Sequence, residues 1–276
     1  MIDLTGLLDF TPEHTIFIDF ETFYSADFTL RKMSTERYIR DPRFKCLGVG
    51  VNDGDETVWM EEPEFRNWSK TVPWERCALG AHHTHFDGLI AAHHYGIIPG
   101  FYFDTMSMGR ALHGVGNISL EKLMPKYGVG FKGHEVENAK GKHRADFTPE
   151  QFAAYGAYCI GDTNGAKDIF WKMIDNGFPE SELWVIDATI RAFTDPQFTL
   201  DEPLLTQYLV DERKRKKELL ERLTDGDTKK LRSVLMSNEK LAKLLLSLGE
   251  DPPRKISPTT KKETWAFAKS DPGMQE

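Results

Sequence analysis

Two carboxylates stand two residues apart in Phe17-Ile18-Asp19-Phe20-Glu21-Thr22. On a strand the side chains alternate between faces, so Asp19 and Glu21 share one face while Ile18 and Phe20 point into a core on the other. Like charges that close repel unless a cation neutralises them, and hard oxygen ligands select Mg²⁺ or Mn²⁺. An exposed acidic edge strand would carry the same pair, so the motif needs partners elsewhere. One is Tyr158-Cys159-Ile160-Gly161-Asp162. Tyr158 and Asp162 are four apart and fall on one face of a helix, where a phenol can hold a water beside a carboxylate-bound metal.

The stretch Ala81 to Ile90, AHHTHFDGLI, supports two incompatible chemistries. His83, His85 and Asp87 read as HxHxD, which resembles the zinc motif of metallo-β-lactamase-fold hydrolases, whose neutral imidazoles suit Zn²⁺. That motif continues with a histidine directly after the aspartate, and position 88 here is glycine. The other reading uses Asp87 alone, at the start of a helix and preceded by the aromatic Phe86. His93 and His94 fall on the same helix in surface or packing roles.

The elements that must position these residues follow from pattern and punctuation. Thr15 to Ile18, Leu47 to Val51 and Thr57 to Met60 are β-prone runs, and Asn52-Asp53-Gly54-Asp55 is a hairpin turn between the last two. Cys77 to Gly80 is a further strand, followed by a helix that starts near Phe86 or Asp87 and ends at Tyr95-Gly96. Gly114 to Gly116, Gly128 to Gly133 and Glu135 to Arg144 read as loop. Thr148-Pro149-Glu150-Gln151 then opens a helix with Thr148 as N-cap, proline at the first position and Gln151 closing a capping box, running to about Ile174. After Asp195-Pro196 the composition changes. Leu204, Leu205, Tyr208, Leu209, Leu219, Leu220 and Leu223 recur at helical spacing around the charged run 211–218, which predicts a long, half-solvated helix. Asn238 to Leu248 is a second helix, and the tail from Arg254 to Glu276 is basic and rich in proline and threonine. The boundary is placed near residue 195, which gives domains 1–195 and 196–276.

Composition narrows the class. With 276 residues, 40% hydrophobic and 28% charged, the chain has ordinary globular usage, which excludes wholesale disorder and collagen-like or low-complexity architectures. No apolar run reaches the 18 or more residues that a membrane span needs, and Met1 to Phe10 carries acids where a signal peptide carries basic residues. Cys46, Cys77 and Cys159 form no CxxC pair, so reduced thiols in a cytoplasm are expected. The net charge of -8 is uneven: residues 201–276 hold 16 Lys and Arg against 14 Asp and Glu, so the acid excess lies in the first 200 residues. An acidic surface and a cation-holding cluster both account for it.

Taken in order along the chain, the DxE of Asp19 and Glu21, the aromatic-aspartate Phe86-Asp87 after a strand, and the YxxxD of Tyr158 and Asp162 on a late helix resemble the tyrosine branch of the DEDD superfamily of 3′–5′ exonucleases. Phe103-Asp104-Thr105 and the helix opened by FTPEQF fit the same pattern. The segment IDFETFYSADFTLRKMSTERYIRDPRFKCLGVGV is similar to the opening of the proofreading domain of bacteriophage family A DNA polymerases. TLDEPLL and LMSNEKLAKLLLSLGEDPPRKISPTTKKETWAFAKSDP resemble the linker and thumb beginning that follow it, and no palm or fingers motif is present. One departure is His83, where the family usually has Asn; a histidine ring nitrogen can still donate a hydrogen bond.

The resemblance implies an α/β, ribonuclease H-like fold: a mixed central sheet flanked by helices, with a C-terminal helical extension like the start of a polymerase thumb. It implies hydrolysis of phosphodiesters with two divalent cations, Mg²⁺ or Mn²⁺, held by Asp19, Glu21, Asp87 and Asp162, while Tyr158 orients the attacking water. The substrate would be a single-stranded DNA 3′ end, with His83, Phe86, Phe23 and Tyr24 as contacts and Arg213 to Lys217, Lys255, Lys261 and Lys262 near duplex phosphates. A DNA polymerase would be the partner, in cis or in trans, in the cytoplasm of a host cell if the chain is phage-encoded, and no membrane is involved. Two alternatives stay open: a ribonuclease D-like RNA exonuclease, which has the same acids, and a non-catalytic module that recruits a polymerase through residues 196–276.

Overall fold

The computed structural model describes residues 14–54, 56–114, 116, 118–131, 139–222, 227–268 and 270–272. The expectations placed on Met1 to Phe10, Asp55, Gly133, Glu135 and Leu223 lie outside the described residues. The chain divides into two compact units, residues 1–198 and 199–276, three residues beyond the boundary expected from composition.

The first unit is built on a five-stranded sheet. β1 (His14–Thr22), β2 (Cys46–Asn52) and β3 (Thr57–Glu61) form an antiparallel meander, and β4 (Cys77–Ala81) and β5 (Phe101–Asp104) run parallel to β1, giving the order β3-β2-β1-β4-β5. β1 is the central strand, and its β-branched and aromatic residues suit a position covered on both faces. The β2–β3 turn forms as expected: the Asn52 side chain accepts the Gly54 N–H at 3.2 Å and donates to Thr57 Oγ1 at 2.9 Å, and Gly54 takes φ 134°, which only glycine adopts freely.

Helices cover both faces: α1 (Thr35–Arg40), α2 (Glu62–Trp68), α3 (Thr84–Tyr95), α4 (Thr105–His113), α5 (Leu120–Tyr127), α6 (Pro149–Asp175) and α7 (Glu180–Thr194). Even-numbered β1 residues face one side, where Phe20 packs on Phe65 of α2 and Tyr95 of α3; odd-numbered ones face the other, where Phe17 packs on Phe170 of α6. This is a mixed α/β architecture of the ribonuclease H-like type. α6 has the expected N-terminus, with the reciprocal Thr148–Gln151 capping box and Pro149 in the first turn. α3 ends at Gly96, which is left-handed at φ 69°, but it begins at Thr84, earlier than its local sequence indicates. The reason lies in β5: Asp104, fully buried, accepts the N–H groups of His83 and Thr84 at 2.8 and 3.1 Å, and also caps α4 through the N–H groups of Met106 and Ser107. Helices α1, α2, α4, α5 and α7 are not among the expected elements, although Ser34 caps α1 through the Arg37 N–H and Asp104 caps α4. Docking of α7 is fixed by Asp187, which accepts the Tyr102 N–H of β5 at 2.8 Å and pairs with Arg191 at 2.9 Å.

The second unit is helical, with α8 (Glu202–Arg222), α9 (Thr228–Leu235) and α10 (Asn238–Ser247), followed by an unanticipated two-stranded hairpin of β6 (Arg254–Ile256) and β7 (Glu263–Trp265). No described residue of α8 is buried. Part of the basic charge expected to meet phosphates is paired within the unit: Arg215 with Glu212 at 2.8 Å, Lys217 with Glu221 at 3.6 Å, and Lys255 with Asp271 at 2.7 Å. Among the described residues no helix is long and apolar enough to cross a membrane.

Candidate active site

β1 and β4 stay paired only as far as Phe17 and Gly80, whereas β1 continues with β2 to Thr22. Past Phe17 the edge of β1 that faced β4 is therefore open, at the carboxyl ends of the parallel strands, where open α/β sheets bind ligands. Asp87, reaching in from the first turn of α3, fills part of that opening: its Oδ1 accepts the Phe20 N–H at 2.9 Å. Asp19 and Glu21 flank Phe20 on the opposite face. Burial, and next the charge of Asp19, push the Asp87 carboxyl well above the usual carboxylate range.

The other wall is α6. Asp19 pairs across the ladder with Gly50, and Glu21 with Gly48. Because cross-strand partners share a face, β2 presents no side chain beside either acid, and α6 comes in close. A Cβ on Gly50 would sit 2.2 Å from Thr163 Oγ1 and 3.0 Å from Cys159 Sγ; one on Gly48 would sit 2.2 Å from the Trp59 ring. Trp59 in turn lies against Gly156 of α6, where a Cβ would meet it at 2.7 Å. Small residues on both elements thus let the helix carry Tyr155, Tyr158, Cys159 and Asp162 onto the acidic face of β1.

Asp19, Glu21 and Cys159 each offer a donor atom within 4.8 Å of the others, and among the described residues no other three His, Cys, Asp or Glu side chains gather in this way. Asp87 and Asp162 lie around this group rather than in it. The donor chemistry fits a hard divalent cation on the two carboxylates. Burial and the charge of Asp19 push the Cys159 thiol up, and it donates to the Asp19 carbonyl oxygen at 3.2 Å and Oδ2 at 3.6 Å, so it is a protonated neighbour of the ligands. Glu21, only 8% exposed, accepts a short hydrogen bond from the Tyr155 hydroxyl. The Tyr158 phenol is bonded to the Asp162 side chain; burial, and next the Asp162 charge, raise its pKa far above the ordinary phenol value, so it stays a proton donor. The Tyr155 and Tyr158 rings lie parallel, with centroids 6.4 Å apart.

His83 and His85 do not join a metal group. Their rings are 6.1 Å apart, His85 lies against Phe193 at 5.5 Å, and the Asp87 carboxylate is turned to the Phe20 N–H, so among the described residues the HxHxD alternative forms no metal-holding group. His83 instead has a backbone role: at φ 81° it occupies the left-handed region, with its N–H held by Asp104. Asn and His are both enriched in that conformation, which gives the departure from Asn a physical reason. Phe23, expected to contact substrate, is already stacked, on His143 at 4.1 Å and towards Phe28 at 6.1 Å. Phe86 packs partly buried against Tyr38, and Tyr24 is partly buried. Tyr155 and the two glycines of β2 were not singled out from the sequence, Cys159 was read only as a reduced thiol, and Asp104 only as part of Phe103-Asp104-Thr105. The only local trace of Tyr155 is its place one turn before Tyr158.

No family model and no curated protein matches the sequence. Solved structures do match. RNase D of Trypanosoma brucei, in complex with RNA U12, aligns with a TM-score of 0.52 at 11% identity, covering 72% of this chain and 68% of that one. NrnC of Brucella melitensis aligns with a TM-score of 0.48 at 14% identity over 66% of this chain and 82% of that one. RNase D of Escherichia coli aligns with a TM-score of 0.46 at 12% identity over 66% of this chain, which spans 45% of that structure. The likeness is one of fold.

Proposed function

We propose that the chain is a metal-dependent 3′–5′ exonuclease that removes nucleotides from single-stranded DNA 3′ ends. The observation that carries this is the gathering of Asp19 and Glu21 from β1, Asp87 from α3, and Tyr158 with Asp162 from α6 at the open end of the central strand. In this reading Asp19, Glu21, Asp87 and Asp162 hold two divalent cations, Mg²⁺ or Mn²⁺. Bound there, such ions make a water nucleophilic near neutral pH and offset the charge that develops on the leaving 3′-oxygen. The attacking oxygen bonds to phosphorus, the bond from phosphorus to the 3′-oxygen breaks, and a nucleoside monophosphate leaves a chain shortened by one residue.

The chain's own residues set the geometry. The Phe20 N–H fixes the Asp87 carboxylate, the Tyr155 hydroxyl fixes Glu21, and the Cys159 thiol holds the Asp19 main chain. Tyr158 is a donor that cannot ionise under working conditions, so it orients the attacking water without removing its proton. The finer assignment, the proofreading part of a phage family A polymerase with residues 196–276 as linker and thumb, rests on the sequence resemblance alone. A second reading, an RNA exonuclease, is favoured by the fold shared with an RNase D crystallised with RNA. Hydrolysis of end-labelled single-stranded DNA and RNA of matched sequence, with Mg²⁺ and with EDTA, tests both. The expected result is stepwise shortening from the 3′ end of DNA that stops with EDTA; faster shortening of RNA would move the assignment to the second reading, and no shortening of either would end both.

A further inference from the structure

The first 200 residues carry the acid excess, yet Lys140, Lys142, His143 and Arg144 fall within five positions of one another just before α6. This segment is fastened to the continuation of β1 beyond Glu21. The Gly141 N–H donates to the Tyr24 carbonyl at 2.7 Å, and the His143 ring lies flat on Phe23, with centroids 4.1 Å apart and planes 8° apart. The backbone that carries the ring is held as well: the Asp146 N–H donates to the His143 carbonyl at 2.9 Å, and the Asp146 carboxylate accepts the His143 N–H at 2.8 Å. His143 is nonetheless exposed, and Phe23 is the one ring it stacks on face to face among the described residues.

An imidazole fixed flat at the surface gives up side-chain freedom without gaining burial. Ordering of this kind suits a ring that receives another ring. Phe23 directly follows β1, two residues past Glu21, so His143 stands beside the segment that leaves the acidic strand. The neighbouring cations are unequal. Arg144 is committed to Glu61 at 3.0 Å and lies over the Phe152 ring, whereas Lys140 is exposed and Lys142 rests 5.3 Å over the Phe147 ring.

We propose that His143 is a base-stacking platform for a single-stranded nucleic acid entering the Asp19–Glu21 site, with Lys140 and Lys142 attracting its phosphates. The inference rests on the nuclease reading of that site for the identity of the ligand. Stacking on an aromatic ring tolerates any base, and its loss lowers affinity by about 5- to 150-fold per base.

The test is a double-mutant cycle between protein and ligand, read by fluorescence anisotropy on the full chain in EDTA, where no turnover occurs. The probes are short 5′-labelled oligothymidylate and oligouridylate, intact or with one abasic nucleotide moved along the 3′ end. For the wild type, one abasic position should weaken binding by about 5-fold or more. His143→Ala should weaken the intact oligomer by a similar factor and lose sensitivity to that abasic position, and His143→Tyr should restore both. Wild-type affinity in His143→Ala, or equal loss for intact and abasic oligomers, would overturn the proposal, the second result marking a structural role. Shortening of the same oligomers with Mg²⁺ is measured separately. Base-sensitive binding without hydrolysis would end the nuclease reading and leave the platform standing; hydrolysis with an insensitive His143→Ala would do the reverse; neither binding nor hydrolysis would end both.

Discussion

Asp19 differs from the other acids of the site in that its main chain and side chain are both engaged, by the Cys159 thiol, while its carboxylate shares a 4.8 Å space with that of Glu21. Removing it takes away one of two crowded negative charges along with a proposed ligand. Asp19→Ala is therefore expected to abolish hydrolysis while the melting temperature stays level or rises, since repulsion is relieved; wild-type-like hydrolysis would remove the metal assignment. Tyr158 provides a finer comparison. Its phenol is bonded to Asp162 one turn along the same helix, so damage to α6 would affect substitutions at both positions alike. Tyr158→Phe should lower kcat by roughly 10- to 1,000-fold with metal affinity unchanged, whereas Asp162→Ala should weaken Mn²⁺ binding in a calorimetric titration as well as the rate. A Tyr158→Phe chain that matches the wild type in single-turnover hydrolysis would make the tyrosine a packing residue.

Between elements, the decisive contact is β2 against α6. The Gly48-Val49-Gly50 segment is a strand whose one face lacks side chains, and α6 uses Gly156 to complete the seat of Trp59. Gly50→Ala tests whether that approach positions the site. Its Cβ would meet Thr163 Oγ1, Cys159 Sγ and the Cys159 carbonyl oxygen at 2.2, 3.0 and 3.1 Å. The side chains have some freedom to shift and the helix backbone has less, so α6 must move outward. Overpacking of this kind costs about 1–3 kcal/mol, and a helix displaced by a fraction of an ångström also carries Tyr158 and Asp162 away from Asp19. The expected outcome is a lower melting temperature together with a loss of hydrolysis larger than the unfolded fraction explains. A stable variant with full activity would show that the seating of α6 is not what sets the geometry.

Across the whole molecule, all the site residues lie in the first compact unit, residues 1–198. The acid excess belongs to that unit, which holds 19 Lys and Arg against 29 Asp and Glu, while the remainder is slightly basic. A polyanion approaching an acidic surface needs local positive charge to compensate, and the segment around Lys140 and Lys142 is one place in the first unit that supplies it. A chain that ends after Phe198 is expected to keep metal-dependent shortening of single-stranded ends and to melt cooperatively. Its affinity for a primer–template duplex should fall more than its affinity for a single strand, if residues 199–276 contact duplex phosphates as the thumb resemblance implies. Equal affinities for both ligands before and after truncation would remove the second unit from the nucleic-acid surface.

Short-range physics carried much of this protein. Alternation on β1 put Asp19 and Glu21 on one face, helical spacing joined Tyr158 to Asp162, and the Thr148–Gln151 box and the Asn52–Gly54 turn formed where their chemistry required, because each depends on residues a few positions apart. Other features were decided only by tertiary structure. α3 starts at Thr84 because a carboxylate twenty residues later in the chain, Asp104, satisfies its first N–H groups. Asp87 became a neighbour of Phe20 rather than a partner of His85 because β4 stops pairing with β1 and leaves an N–H to be met. Tyr155 reached Glu21 across 134 residues, and Phe23 was covered by His143, through contacts that neither segment signals by itself. Local pattern determines which residues share a face; which faces meet is decided by where strands end, where glycines allow approach, and which buried polar groups still need a partner.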